Sequence, residues 1–245
     1  MALPTYNLEF IRAVSVAENT LQLDFRPEHT DFSFTAGQFI SLRFEYEGEQ
    51  YKRSYSLACS PDSFKKNGLL EIAIGLIPDG KASQCFSHAT PGTQFVMAGP
   101  AGVLVMPEEL PESLVLVGTG TGIAPYRSML PELEAALSQG VHVRVIMGVR
   151  RRKDLFYDED FRQLAAKYTN AQYNICFSRE EKVNEADGEY CGYVQHHFES
   201  LNLIPGKDLV YLCGNPAMID DSLAWLKNSG FNNKQLRREK YTFSR

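Results

Sequence analysis

The chain has 245 residues, 44% hydrophobic and 22% charged, with a formal net charge of −5. This is the composition of a folded globular protein, and it excludes collagen-like, coiled-coil and disordered classes. The negative balance leaves no overall basic field to recruit nucleic acid or an anionic membrane, so neither is expected as a partner.

Short apolar-rich stretches with polar breaks read as strands through the first hundred residues: Tyr6–Ala17, Leu21–Phe25, Phe39–Tyr46, Tyr51–Ala58, Leu69–Ile77 and Phe95–Ala98. A turn at Glu47-Gly48-Glu49-Gln50 joins the third and fourth, and a short helix, Ser83–Ala89, interrupts the series. Frequent strands with turn signals between them predict an antiparallel barrel or sandwich. A proline-bearing polar stretch, Val105–Ser113, marks the boundary between a domain over 1–106 and another over 107–245.

Beyond it strands and helices alternate. Strands are expected at Leu114–Val117, His142–Gly148, Gln172–Phe177, Leu209–Cys213 and near Tyr241; helices at Pro125–Gln139, Asp158–Tyr168, Tyr193–Leu201 and Pro216–Ser229. That alternation predicts a parallel sheet with crossover helices. Pro131 either kinks the first of these helices or marks its true start. Apolar runs such as Val103–Met106 and Leu114–Val117 fall far short of the roughly 20 residues of a membrane-spanning helix. Met1–Glu9 has neither a basic start nor an apolar core, so the cytosol is the expected compartment.

Cys59, Cys85, Cys176, Cys191 and Cys213 are odd in number and widely scattered. That argues against a disulfide framework, a structural zinc site or a built-in iron–sulfur cluster, and no metal is expected. The adjacent His196 and His197 have no metal-ligand spacing around them.

The strand Leu114–Val117 runs into Gly118-Thr119-Gly120-Thr121-Gly122-Ile123-Ala124-Pro125. Glycines let a backbone approach a phosphate, and the helix that follows offers unpaired N–H groups and a positive dipole end. Ile123 stands where the full dinucleotide fingerprint has its last glycine, yet strand before and helix after make this a phosphate-binding turn. An acidic residue about 20 residues on would hold the ribose of NAD. Here the second strand ends in Gly148-Val149-Arg150-Arg151-Arg152-Lys153 and the third in Ser178-Arg179. Guanidinium groups suit a phosphate dianion, which favours NADP(H). Arg151, Arg152 and Lys153 read as a solvated basic loop.

Several motifs in order carry a resemblance to a known family. They are Arg53-Ser54-Tyr55-Ser56 with Leu57-Ala58-Cys59-Ser60-Pro61, then Pro78-Asp79-Gly80-Lys81-Ala82-Ser83, the glycine-rich turn, Cys213-Gly214-Asn215-Pro216, and Glu239-Lys240-Tyr241. From about residue 8 onward the chain resembles the ferredoxin–NADP reductase family of bacterial type. The resemblance implies an antiparallel FAD-binding β-barrel followed by a parallel-sheet pyridine-nucleotide domain. It implies that Arg53, with the N–H groups of Lys81, Ala82 and Ser83, holds the FAD pyrophosphate, that Tyr55 stacks on the isoalloxazine, and that Ser56 reaches flavin N5.

By the same resemblance Thr119 and Cys213, with Gly214 beside it, flank the nicotinamide, and Glu239 lies near the hydride path. Gly118, Gly120, Thr121 and Gly122 belong to the nucleotide turn. Arg150, Ser178 and Arg179 hold the 2′-phosphate, and Tyr193 and Gln195 resemble an adenine-stacking Tyr-x-Gln pair. Either Tyr241 or Phe243 shields the flavin. Leu69–Ile77 has no aromatic residue to cover an adenine, which leaves FMN open beside FAD.

The implied activity is electron exchange between NADP(H) and ferredoxin or flavodoxin, by a monomer. A basic cluster at Lys234, Arg237, Arg238, Lys240 and Arg245 offers an acidic carrier a docking face. Two other readings stand beside it: an NADH-dependent flavin reductase or oxygenase reductase component, and a non-catalytic flavin- or nucleotide-binding redox sensor.

Overall fold

The computed structural model describes residues 3–28 and 31–241. The chain divides into two units. One gathers Ala124–Met129 with the described part of Met1–Val105; the other gathers Met106–Ile123 with the described part of Leu130–Phe243.

The first unit is the expected antiparallel barrel. Its strands are β1 (Thr5–Ala17), β2 (Thr20–Pro27), β3 (Phe39–Tyr46), β4 (Glu49–Ser56), β5 (Leu70–Gly75) and β6 (Gln94–Ala101), in the order β4-β3-β6-β1-β2-β5. A bridge between Leu57 and Ile72 brings the two edges of the sheet together. Side chains alternate across a strand, so Ile40, Leu42 and Phe44 of β3 are buried while Arg43 and Glu45 are exposed.

Helix α1 (Pro61–Asn67), which the sequence reading left out, begins at Ser60, whose hydroxyl accepts from the Ser63 N–H at 3.1 Å. Helix α2 (Lys81–His88) begins two residues before the expected start. Its fully buried Phe86 meets Phe44, Phe95 and Tyr55 at ring separations of 5.2, 5.4 and 6.1 Å. Each such ring pair adds about 0.5–1.5 kcal/mol beyond the area it buries.

The second unit is a six-stranded, wholly parallel sheet: β7 (Ser113–Thr119), β8 (His142–Val149), β9 (Ala171–Phe177), β10 (Glu189–Cys191), β11 (Asp208–Gly214) and β12 (Leu236–Lys240). Its order is β10-β9-β8-β7-β11-β12. The chain builds outward from β7 on one side and then returns to its other side with β11. A parallel sheet is covered on both faces, and Leu114, Val115, Leu116 and Val117 are accordingly all at 0% exposure.

Helix α5 (Asp158–Lys167) covers one face, where Phe161 stacks on Tyr173 at 5.5 Å. Helix α6 (Pro216–Asn228) packs Met218, Ile219, Leu223 and Leu226 with Val115, Val117 and Cys176 on the other.

Two expected helices differ from the structure. Pro125–Gln139 is split into α3 (Ala124–Ser128) and α4 (Leu130–Ser138). Pro131 has no N–H to donate and its ring clashes with the preceding turn, so a helix starts there rather than running through. Tyr193–Leu201 is not an α-helix but a 3-10 turn at Val194–His197, followed by one further helical bond from the Leu201 N–H to the His197 carbonyl. Its aromatic, β-branched and histidine residues are weak helix formers, and no side chain caps its start.

Arg152 departs from the expected solvated loop. Its guanidinium grips both oxygens of buried Glu189 at 2.7 and 2.5 Å and lies 4.9 Å over the Phe177 ring. The Asn184 N–H and Arg162 complete the shell around that carboxylate. The hydrogen-bonded Arg152 holds Glu189 below the ordinary carboxylate range. A carboxyl depressed in the folded state stabilises the fold above its unfolded pKa, and the contribution is lost as pH falls through the folded one. Arg152→Ala is therefore expected to lower the urea midpoint at neutral pH, because it leaves the Glu189 carboxylate buried without its bidentate partner. The difference from the parent protein should shrink as pH falls below the ordinary carboxylate range and vanish only once the depressed Glu189 of the folded parent is itself protonated.

Candidate functional site

In the barrel unit, strand alternation sorts the Arg53–Ser56 motif onto two faces. Arg53 and Tyr55 lie opposite Leu42 and Ile40, and so share the core-directed face of β4 with Tyr51. Ser54 and Ser56 point to the other face, where the Ser54 hydroxyl lies 2.8 Å from that of Ser41 and Ser56 is buried. Burial raises the Tyr55 phenol well above its ordinary pKa, so it stays neutral. Arg53 donates to the Lys52 carbonyl at 2.8 Å and lies 5.7 Å from the Tyr51 ring, with no carboxylate partner among the described residues.

The Pro78–Gly80 turn delivers the start of α2. Asp79 adopts a left-handed backbone (φ 58°), a conformation that aspartate tolerates. The Ser83 hydroxyl accepts from the Ile77 N–H at 2.8 Å, and the Gly80 N–H donates to the Ile77 carbonyl at 3.0 Å. Gly80 has no side chain to cap the helix. The first-turn N–H groups of Lys81, Ala82 and Ser83 therefore lack intrahelical acceptors, which is the geometry of an anion site. The Lys81 ammonium is itself committed to Glu47 at 2.8 Å and lies 5.2 Å from the Tyr46 ring. An open cavity of about 620 Å³ between α2, β3 and the start of β6 is lined by none of these candidate residues and is no part of the site.

In the sheet unit the candidates gather at the C-terminal ends of β7 and β11, where strand order reverses. Such a switch point is where open parallel sheets bind ligands. Three glycines permit the approach. A Cβ on Gly122 would stand 2.2 Å from the Cys213 carbonyl oxygen, one on Gly118 2.9 Å from the Gly122 carbonyl, and one on Gly214 2.5 Å from Thr119 Oγ1. The Asn215 N–H donates to the same Thr119 hydroxyl at 3.0 Å, and the Asn215 side chain caps α6 through the Ala217 N–H at 2.8 Å. Gly120 and Thr121 form the 3-10 turn that follows β7.

Cys213 is fully buried and burial pushes its thiol pKa far up, so it remains a thiol. Glu239 of β12 lies level with it in the sheet. Tyr241 extends this edge: its N–H donates to the Gly214 carbonyl at 2.9 Å and its hydroxyl to the Thr121 carbonyl at 3.3 Å. Phe243, the other candidate shield, lies outside the described residues, as does Arg245.

Beyond β8 and β9 two backbone bonds prolong the pairing: Ser178 N–H to the Val149 carbonyl at 3.0 Å, and Arg179 N–H to the Arg150 carbonyl at 2.9 Å. They bring Arg150, Ser178 and Arg179 together. Both arginines are exposed and have no carboxylate partner among the described residues, unlike Arg152. Gly148 links this group to the turn at Val194, since a Cβ there would stand 2.8 Å from both Val194 Cγ1 and Thr119 Cγ2.

Tyr193, 59% exposed, opens that turn. Gln195 does not share its side of the turn; it donates to Asp221 of α6 at 3.3 Å and leaves its buried Oε1 without a partner among the described residues. The sequence reading missed Gly148 as a contact point and His196, which meets the Tyr193 ring at 5.5 Å. The signal available was the backbone bond that a turn opening at Tyr193 makes from the His196 N–H to the Tyr193 carbonyl, at 3.0 Å.

Among the described residues no cluster of three or more His, Cys, Asp or Glu could hold a metal ion, and no helix is long and apolar enough to cross a membrane. Because of the close approach at Gly122, Gly122→Ala is expected to lower stability by about 1–3 kcal/mol, read from the urea midpoint. Gly120→Ala, with nothing within 4 Å of its Cβ, pays only for its left-handed backbone and should cost less.

Family models match both units: the oxidoreductase FAD-binding domain over residues 6–106 and the oxidoreductase NAD-binding domain over 116–223. The chain is 32% identical over 196 residues to the flavodoxin/ferredoxin–NADP reductase of Escherichia coli (strain K12), with 77% of each chain covered. It is 29% identical over 234 residues to the toluate 1,2-dioxygenase electron transfer component of Pseudomonas putida, covering 94% of this chain and 65% of that one. The crystal structure of a ferredoxin NADP+ reductase from Neisseria gonorrhoeae, with bound FAD and NADP, has the same fold (TM-score 0.81, 21% identity, 96% of this chain and 98% of that one). Barrel, parallel sheet, glycine cradle and relatives agree: the chain belongs to the ferredoxin–NADP reductase family and is an FAD- and NAD(P)-dependent oxidoreductase.

Proposed function

We propose that this protein exchanges electrons between NADP(H) and a one-electron carrier, ferredoxin or flavodoxin, through FAD held by the domain over 1–106, with NADP(H) held by the domain over 107–245. The observation that carries the choice of NADP(H) is the 2.9 Å bond from the Arg179 N–H to the Arg150 carbonyl. It gathers two arginines that no carboxylate among the described residues neutralises, beside a serine hydroxyl, at the edge where a dinucleotide would bind. A guanidinium pair suits a 2′-phosphate and gains little from a ribose hydroxyl.

In this reading Arg150, Ser178 and Arg179 hold the 2′-phosphate. Tyr193, exposed at the opening of its turn, stacks on the adenine, while Gln195 is held against Asp221 of α6. The turn Gly118–Gly122 takes the pyrophosphate on backbone N–H groups. Thr119 and Gly214 border the nicotinamide with Cys213 behind them, and Glu239 supplies the polar wall. Tyr241 closes over Cys213 and Thr121.

In the barrel, Arg53 and the uncapped N–H groups of Lys81, Ala82 and Ser83 fit a pyrophosphate. Tyr55 offers a neutral ring to the isoalloxazine, and Ser54 and Ser56 offer hydroxyls on the opposite face of the same strand, Ser56 towards flavin N5. Bound flavin supplies the exchange between a hydride and single electrons, while the protein orients the reactants.

The relative named for flavodoxin and ferredoxin supports the choice of carrier. Of the basic cluster, Lys240 is paired with Asp220 at 2.6 Å and Arg237 lies 5.2 Å over the Tyr211 ring. Lys234 and Arg238 remain exposed, as cations available to an acidic partner. A second reading, an oxygenase reductase component using NADH, is favoured by the match of 94% of this chain to the toluate dioxygenase component.

Arg179→Ala separates the two. It should lower kcat/KM for NADPH about ten- to a hundredfold, the worth of a charge-assisted phosphate contact, and leave NADH within twofold. An equal effect on both nucleotides would remove the 2′-phosphate assignment. Tyr55→Ala tests the flavin site separately: the variant should purify with less than one flavin per chain, and full occupancy with an unshifted visible spectrum would contradict the stacking role.

A further inference from the structure

We propose that His196 is a positioning residue for nucleotide binding, holding the ring of Tyr193 upright before the adenine arrives; this rests on the adenine assignment above. The segment Val194–His197 is a 3-10 turn, and Tyr193 is its N-cap, with an extended backbone (φ −86°, ψ 151°). His196 is the third residue of that turn. The Tyr193 and His196 ring centroids are 5.5 Å apart at an interplanar angle of 82°, and the His196 N–H donates to the Tyr193 carbonyl at 3.0 Å.

The imidazole in turn rests on Gly192, where a Cβ would come within 3.5 Å of His196 Nδ1. The neighbouring His197 does something else. It turns inward, meets the Tyr190 ring at 4.8 Å and 35°, and its Nε2 lies 2.8 Å from the Cys191 carbonyl. An α-helix over the same residues would have offered Tyr193 a neighbour at His197 as readily as at His196. Here the ring that meets Tyr193 is that of His196, and His197 is taken by Tyr190.

Tyr193 needs such a support because it is 59% exposed, and a ring standing in solvent samples its rotamers freely. Freezing it on binding costs affinity, and a perpendicular aromatic partner removes that cost in advance. Together these effects are worth about three- to tenfold in affinity. Adenine is common to NADPH and NADH, so both nucleotides should feel it, unlike the arginine pair.

The test compares Michaelis constants for NADPH and NADH, with ferricyanide as acceptor, in the flavin-loaded parent, Tyr193→Ala, His196→Ala, His196→Phe and the Tyr193→Ala/His196→Ala double variant. His196→Ala should raise both KM values about three- to tenfold with kcat and thermal midpoint unchanged. His196→Phe, which keeps a ring at that position, should restore them, and the double variant should match Tyr193→Ala alone. If Tyr193→Ala leaves both constants unchanged, the adenine assignment fails and this inference with it. If Tyr193→Ala raises them but His196→Ala does not, the inference alone is overturned. An effect of His196→Ala that persists in the Tyr193→Ala background, or that phenylalanine does not repair, also overturns it, since His196 would then act on the nucleotide itself.

Discussion

A methyl group at Gly122 would stand 2.2 Å from the Cys213 carbonyl oxygen, and one at Gly214 would stand 2.5 Å from the Thr119 hydroxyl. No side chain fits in either gap, so the ends of β7 and β11 meet backbone to backbone. That approach has consequences across the edge of the sheet. It lets the Asn215 N–H reach Thr119 and leaves the Asn215 side chain free to cap α6. It sets the level of Cys213 and, through parallel register, of Glu239. Tyr241 then ties the last strand to both loops through the Gly214 and Thr121 carbonyls. The site is thus a by-product of two strand ends packed without Cβ atoms at the one point where the sheet changes direction.

The arginines of this edge show how charge is divided between holding the fold and leaving a site open. Arg152 and Arg162 surround Glu189, a carboxylate 4% exposed, and the three form a structural unit that would be costly to break. Arg150 and Arg179 are joined through the backbone, and among the described residues no carboxylate pairs with their guanidinium groups. The barrel repeats the division. Lys81 spends its charge on Glu47, whereas Arg53 has a carbonyl and an aromatic ring for company. In the segment Ala124–Met129, Arg127 binds Glu71 at 2.6 Å and the Ala58 carbonyl at 3.0 Å, which fixes α3 to the barrel.

Much of this was legible in the residues, because strongly patterned elements announce themselves. The all-apolar Leu114–Val117 could be little but a strand buried on both faces, and alternation in Phe39–Tyr46 names its inner face. The glycine turn and the paired arginines follow from strand ends, since strand ends of a parallel sheet lie on one edge. What escaped was decided by weaker forces. Helix α1 has its serine cap, its first-turn proline and a left-handed glycine at the end, but it buries no residue, so no periodicity marks it. The difference between an α-helix and a 3-10 turn at Val194–His197 depends on capping and packing against α6, which composition does not display. Arg152 looked like one basic loop residue among three, and its partner Glu189 lies 37 positions on, in a three-residue strand that no local pattern reveals.

The central claim, a flavoprotein whose sheet edge selects the 2′-phosphorylated nucleotide, is tested most directly by mixing the flavin-loaded protein anaerobically with equimolar NADPH or NADH and following the visible flavin band. Fast bleaching by NADPH and slow bleaching by NADH is the result expected from Arg150 and Arg179. Equal rates, or faster bleaching by NADH, would contradict it and move the protein to the NADH-dependent reductase reading.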